Sequence, residues 1–247
     1  MLAAADWLGV AFLLIALVYA SVGQAGASGY LAVMALTGFA PEAMKTTALS
    51  LNLLVAAIAT CQFWRVGLLS WRTFYPFGVL GIPFSLVGGA INVPPHAYYA
   101  IVGAILLLSG LQMARSAIRT VSTPSQPTSP PLLPALAAGG VIGFVSGSTG
   151  TGGGVFLAPV ILAMNWVDIR RTAAVTAAYN LLNSAAALLG AYRIMDSLPA
   201  ALPKWLVAVG IGGAIGAFLG ARHLPERGLR FGLAAILSVS GIKLIFS

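Results

Sequence analysis

Charge is what this sequence lacks most. Of its 247 residues, 7% are Asp, Glu, Lys or Arg, while 59% are hydrophobic. A soluble domain carries about 25% charged residues. With so few, the surface of the folded chain has to face lipid. Cysteine is nearly absent too: Cys61 stands alone inside an apolar run, where a buried side chain is expected. That excludes an internal disulfide framework and a Cys-based metal site. No Lys or Arg precedes Lys45, and Asp6 stands ahead of the first apolar run. Without a basic n-region that run is expected to remain as a helix, not to be removed as a signal peptide. The five acidic residues, Asp6, Glu42, Asp168, Asp196 and Glu226, lie at termini or ends of apolar runs. None is left for the membrane interior, where cation carriers and proton relays use a carboxylate. No Ser/His/Asp or Cys/His set is in place for catalysis. His96 and His223 are loop residues and make no metal pair. Neither an enzyme nor a cofactor is expected.

What is present is a succession of apolar runs. Trp7–Val22, Leu49–Trp64, Trp71–Ile91 and Tyr98–Ala114 are examples. Most approach the roughly 20 residues with which a helix spans a bilayer. They are continuous, without the alternation of a membrane β-strand. The net charge of +8 comes from Lys and Arg at the ends of these runs. There they set topology, and no basic patch for nucleic acid is formed.

Thr120–Pro134 holds five of the 14 prolines and no charge. Proline fixes φ and lacks a donor, so residues 120–134 are expected to link two halves, 1–119 and 135–247. The halves match in four places, in the same order. Gly23-Gln-Ala-Gly26-Ala-Ser-Gly29 pairs with Gly147-Ser-Thr-Gly150-Thr-Gly-Gly153 at an offset of 124 residues. Asn52-Leu-Leu pairs with Asn180-Leu-Leu, and Gly81/Ser85/Gly89 with Gly212/Gly216/Gly220. Ala104–Gly110 pairs with Ala235–Gly241. Such internal symmetry is a mark of duplicated transporters. The two small-residue ladders are read as helix-packing surfaces.

Each half predicts the same plan. A first run (Trp7–Val22; Leu136–Val145) meets a glycine-rich break, and a short segment follows (Ser28–Phe39; Gly154–Ala163). At 1.5 Å per residue the first short segment reaches only about 18 Å. It is a re-entrant half-helix or a short tilted span. Three longer helices complete each half, about Thr46–Trp64, Trp71–Ile91 and Tyr98–Ser116, then Thr172–Tyr192, Lys204–Arg222 and Leu229–Phe246. The expected fold is an all-α polytopic membrane protein of about 8 to 10 membrane helices. With the Arg65/Arg72 loop inside, nine basic residues fall inside, against Lys45, Arg193, Lys204 and Lys243 on or toward the outside. That bias follows the positive-inside rule and predicts two inverted repeats with both termini outside.

The breaks are the candidate site. Broken helices in hydrocarbon are tolerated where they line a cavity. A half-helix starting at such a break presents free N–H groups and a positive dipole end, which suit an anion. Gln24, Gly26 and Ser28 lie in the first break, and Ser148, Thr149, Gly150, Thr151, Gly152 and Gly153 in the second. Asn52 and Asn180, at matched positions, are candidates for ligand contact or for interhelical glue. Tyr179 is adjacent, and Asn183 and Thr176 lie one turn either side of Asn180. Thr149-Gly-Thr-Gly-Gly-Gly lacks the Gly-Lys-Ser/Thr ending of a phosphate-binding loop.

The duplicated break, the run Gly147-Ser-Thr-Gly-Thr-Gly-Gly-Gly-Val-Phe-Leu-Ala-Pro159 and the following Arg171-Thr-Ala-Ala-Val-Thr resemble the TauE/SafE sulfite exporter family. The resemblance runs over nearly the whole chain. It implies a multi-pass protein of the bacterial inner (plasma) membrane, without cofactor, exporting a small sulfur-containing anion such as sulfite or a sulfonate. Alternating access between the repeats would carry it, and a homo-oligomer is allowed. A carrier of another small anion such as a carboxylate, an organosulfur importer, and a non-transporting membrane subunit stay open as alternatives.

Overall fold

A computed structural model describes residues 2–118, 130–192, 198–222, 238, 241–242 and 244–246. Among them nine helices follow in order: α1 (Leu2–Ala20), α2 (Ala27–Leu36), α3 (Pro41–Arg65), α4 (Trp71–Ala90), α5 (Pro95–Ile118), α6 (Leu132–Thr149), α7 (Gly154–Ala163), α8 (Ile169–Ala191) and α9 (Leu202–Arg222). The described residues contain no strand. Residues 119–129, most of the proline-rich segment, lie outside the description. Helix α6 already starts at Leu132, with Pro131 capping it and Pro134 in its first turn. First-turn N–H groups have no intrahelical partner, so proline costs little there. The expected last helix, Leu229–Phe246, also falls largely outside. Its residues 241–242 and 244–245 are helical, and Gly241 packs on Gly103 and Leu107 of α5.

Among the described residues five helices are long and apolar enough to cross a bilayer: Pro41–Arg65, Trp71–Ala90, Leu132–Thr149, Arg170–Ala191 and Leu202–Gly220. Their outward faces carry large apolar side chains. Val207, Ile211 and Ile215 make an exposed stripe at helical spacing on α9, as do Val10 and Leu14 on α1. Cys61 belongs to such a face: it is exposed, beside exposed Trp64, and not buried as expected. The short helices α2 and α7 have 10 residues each. At about 15 Å they cannot cross. Helix α2 is buried almost throughout, and α7 buries its N-terminal end while Leu162 is exposed.

The glycine ladders decide how the long helices pack. Gly139, Gly143 and Gly147 of α6 face the carbonyls of Phe77, Gly81 and Ser85 of α4. Numbers rise together, so α4 and α6 run in the same direction. Gly212, Gly216 and Gly220 of α9 face the carbonyls of Leu13, Leu17 and Ser21 in the α1 segment in the same way. A side chain at any of these glycines would strike backbone, which is how small residues let membrane helices approach. Helix α8 lies along α4 with Tyr179 on Gly81 and Ala187 on Gly89, and Ser85 Oγ donates to Asn183 O at 2.9 Å. Helix α3 packs on both α8 and α9. Trp205 at the start of α9 meets Phe39 just ahead of α3, with ring centroids 6.1 Å apart.

Candidate functional site

The chain breaks twice around a matching pair of left-handed glycines, with a third, Gly152 at φ 76°, in the second break only. Gly23 and Gly26 take φ of 73° and 93°, and Gly150 and Gly153 take 83° and 88°. This left-handed backbone is cheap only for glycine. It turns the chain out of α1 and α6 and starts α2 and α7, with Gly26 and Gly153 as their N-caps. The structural correspondence therefore pairs Gly23 with Gly150 and Gly26 with Gly153, an offset of 127 residues. Matching glycines by spacing alone placed the second break three residues early. In the corrected register Gln24 pairs with Thr151, and Ser148 pairs with Ser21. Both serines donate back to the helix before the break, Ser21 to Val18 O at 2.6 Å and Ser148 to Val145 O at 3.0 Å.

Each short helix is held by an asparagine of its own half. The first N–H of α2, on Ala27, donates to Asn52 Oδ1 at 3.1 Å. The first N–H of α7, on Gly154, donates to Asn180 Oδ1 at 2.7 Å. Because only oxygen accepts from an N–H, these bonds fix the orientation of both amides. The next N–H groups of each first turn, Ser28 and Gly29 in α2 and Val155 in α7, have no carbonyl four residues back within their helix. Asn52 Nδ2 goes on to Ser184 Oγ at 2.8 Å, tying α3 to α8. Among the described residues Asn180 Nδ2 donates to no group, and the side chain's one bond is that from Gly154. Gly152 and Gly154 make the close approach possible, since a Cβ on Gly152 would strike Asn52 and one on Gly154 would strike Asn180.

Around this junction lies a cavity lined by Gln24, Gly26, Ser28, Asn52, Thr151 and Asn180, with Tyr19, Ala25, Ala27 and Val155. No lining side chain is charged. Gln24 Oε1 is buried without a partner. Ser28 Oγ donates to Tyr19 OH at 3.2 Å. Thr151 and Thr149 share a hydroxyl contact of 3.1 Å, and Thr149 Oγ1 donates to Val145 O at 2.7 Å. Thr151 thus donates to Thr149, and its own oxygen stays open as an acceptor.

The other anticipated residues fall elsewhere. Gly153 serves as the α7 cap, and Gly150 caps α6, its N–H bonded to Ser146 O at 2.8 Å. Ser148 lines a different cleft. Tyr179 points away from the cavity and donates to Gly139 O at 2.6 Å. Asn183 Nδ2 donates to Ser146 Oγ at 3.3 Å, and Thr176 Oγ1 reaches Gly23 O at 3.1 Å. Lys45 had been placed among the outer loop charges. It is 5% exposed, and its Nζ donates to the carbonyls of Gly89 at 2.8 Å, Ile91 at 3.1 Å and Gly88 at 3.5 Å. A lone lysine near a helix start reads as a topology signal, and nothing in sequence places the end of α4 opposite it.

With this geometry in view, known proteins add the context. The profile of the family described as "Sulfite exporter TauE/SafE" matches residues 8–244. The chain belongs to this family. It is also 56% identical, over 240 residues covering 97% of both chains, to a "Probable membrane transporter protein y4hK" of Sinorhizobium fredii (strain NBRC 101917 / NGR234). No solved structure matches it. The chain is therefore a multi-pass membrane transporter of the TauE/SafE family, as the repeated break and the second-half motif implied.

Proposed function

We propose that this protein exports a small sulfur-containing anion, sulfite or a sulfonate, across the bacterial inner membrane. The observation that carries the proposal is the meeting of two half-helix N-termini at one uncharged cavity. Each supplies free N–H groups and a partial positive charge. Asn180 Nδ2 and the Gln24 amide add neutral donors, and no lining carboxylate repels an anion. The printed family description supplies sulfite; the geometry supports an anion of that size and would suit other small oxyanions.

The mechanism would be alternating access between two inverted repeats. Helices α4, α6 and α8 share one direction, and α1 and α9 share another register. Short loops reverse the chain between α3 and α4. Taken together, α1, α3 and α9 run opposite to their counterparts α6, α8 and α4. In that arrangement the Arg65, Arg72, Arg170 and Arg171 ends share a side, which the positive-inside rule puts in the cytoplasm. The cavity as it stands holds about 10 Å³, room for about one water. Sulfite would enter only as the two tips part. Export of an anion from a negative interior is favoured by about 2.3 kcal/mol per charge per 100 mV, so a uniporter suffices.

The test is flux from proteoliposomes loaded with labelled sulfite, a sulfonate or acetate. Sulfite or sulfonate efflux is expected, with acetate slower. Asn180→Leu, which removes the free Nδ2 donor, should cut the rate at least tenfold, equivalent to about 1.4 kcal/mol. Absence of flux for every anion would sink the transporter reading. Unchanged flux in Asn180→Leu would sink the site.

A further inference from the structure

The two mouths of the central cavity are built on the same plan but closed by different chemistry. At one, the break at Gly23 rests on Ala173 of α8, and the neutral hydroxyl of Thr176, 2.9 Å from Thr172 O of its own helix, also lies 3.1 Å from Gly23 O. At the other, the break at Gly150 rests on the backbone of Lys45 in α3. Lys45 and Ala173 are equivalent positions, at the same 128-residue offset as Asn52 and Asn180. Among the described residues only the Lys45 mouth holds a buried cation; Arg171, near the other, is exposed and paired with Asp168. The Lys45 ammonium satisfies its three donors on the carbonyls at the end of α4. Those bonds leave the charge itself unbalanced: no carboxylate lies within ion-pair distance of Lys45 among the described residues, where the salt bridge is Arg171 with Asp168. Glu42, one turn earlier, contacts Asn92 Nδ2 at 3.5 Å.

A buried cation without a counterion is costly in a membrane protein and marks an ion pathway more often than a structural tie. A tie alone could be neutral, as Thr176 is at the opposite mouth. Lys45 also lines an open cleft, together with Glu42, Thr46, Asn92, Tyr98 and Ser148. Tyr98 closes its floor by donating to Thr149 O at 3.0 Å, next to the break whose Thr151 faces the central cavity. The Thr149–Thr151 turn thus borders both, with Thr149 O on Tyr98 of the cleft and Thr151 lining the cavity.

We infer that Lys45 is a second anion station, at the mouth away from the cytoplasm, where the leaving oxyanion takes the place of one or more α4 carbonyls on the ammonium. The inference rests on the anion-export reading and adds an exit site to it. The α4 carbonyls hold the ammonium while the mouth is shut. Arrival of the anion offers full charge neutralisation, frees the end of α4, and favours opening on that side.

The experiment uses the purified full chain, with sulfite as the probe. Titration calorimetry in detergent and efflux from proteoliposomes are measured for wild type, Lys45→Gln, Lys45→Arg and Asn180→Leu. Glutamine keeps a donor for the carbonyls without the charge, so it tests charge and not packing. Expected are two sulfite sites in wild type. Lys45→Gln loses one and slows efflux at least tenfold, Lys45→Arg keeps both, and Asn180→Leu loses the other. A Lys45→Gln protein with both sites and wild-type efflux overturns the station and leaves the central site standing. So does a Lys45→Arg protein as impaired as Lys45→Gln, because shape and not charge would then matter. If Lys45→Gln does not fold, a wild type with a single sulfite site overturns the station equally well. A wild type that binds no sulfite and moves none sinks the export reading itself.

Discussion

The two halves share a backbone and differ in what they put on it. Both turn at paired left-handed glycines, both start a 10-residue helix there, and both set an asparagine against its first N–H. Yet the first tip carries Gln24, Ala25, Ala27 and Ser28 where the second carries Thr151, Gly152, Gly154 and Val155. Asn52 is spent at both ends of its amide, whereas Asn180 keeps its Nδ2 for the cavity. Duplication preserved the features needed to break a helix inside the protein. It left the cavity-facing groups free to divide the work, with the first tip tied into the scaffold and the second more open to a ligand.

The largest effect should come from exchanging the first helical residue between the tips. Ala27 has a Cβ that fits beside Asn52. Gly154 has none, and one would strike Asn180. Gly154→Ala is therefore expected to displace Asn180, cost about 1–3 kcal/mol by overpacking, and abolish sulfite efflux. The reverse change, Ala27→Gly, should cost no more than about 1 kcal/mol and leave efflux within twofold. Thermal melting and efflux on both variants decide the point. Equal damage from the two would show that the tips are interchangeable.

Next in size is Asn180→Asp. An aspartate oxygen still accepts from Gly154 N–H, so melting should stay near that of wild type. The same substitution puts a negative charge where Asn180 Nδ2 now faces the cavity. Sulfite affinity by calorimetry should fall at least tenfold, or about 1.4 kcal/mol. An aspartate that binds sulfite as well as asparagine does would show that the anion sits elsewhere.

Much of this was legible in the residues. The absence of charge and the length of the runs announced a polytopic helical protein, and α7 was bounded at Gly154–Ala163 as observed. The small-residue ladders were correctly read as packing surfaces. Spacing misled at the breaks, because glycine identity does not reveal which glycine turns left-handed; that depends on where the preceding helix ends. Ser148 and Thr149 read as site residues because they adjoin the break. They form the last helical turn before it, with hydroxyls bonded to Val145 O. Lys45 was hidden for the opposite reason: its partners are carbonyls from 43 to 46 residues away, and backbone acceptors leave no trace in sequence.

The smallest expected effect separates glue from ligand contact on α8. Tyr179 stands where α3 has Leu51, at the offset that pairs Asn180 with Asn52. Both side chains are fully buried, so the second half gains a hydroxyl without gaining a cavity contact. That hydroxyl donates to Gly139 O at 2.6 Å while the ring lies on Gly81, joining α8 to α6 and α4. Interhelical hydrogen bonds in membrane proteins average about 0.6 kcal/mol. Tyr179→Phe keeps the ring and removes only this bond. Its melting temperature should drop by a small, measurable amount, and its sulfite half-saturation should stay within twofold. Weaker sulfite binding with unchanged melting would instead bring Tyr179 into the ligand site and make the second half's advantage chemical at this position as well.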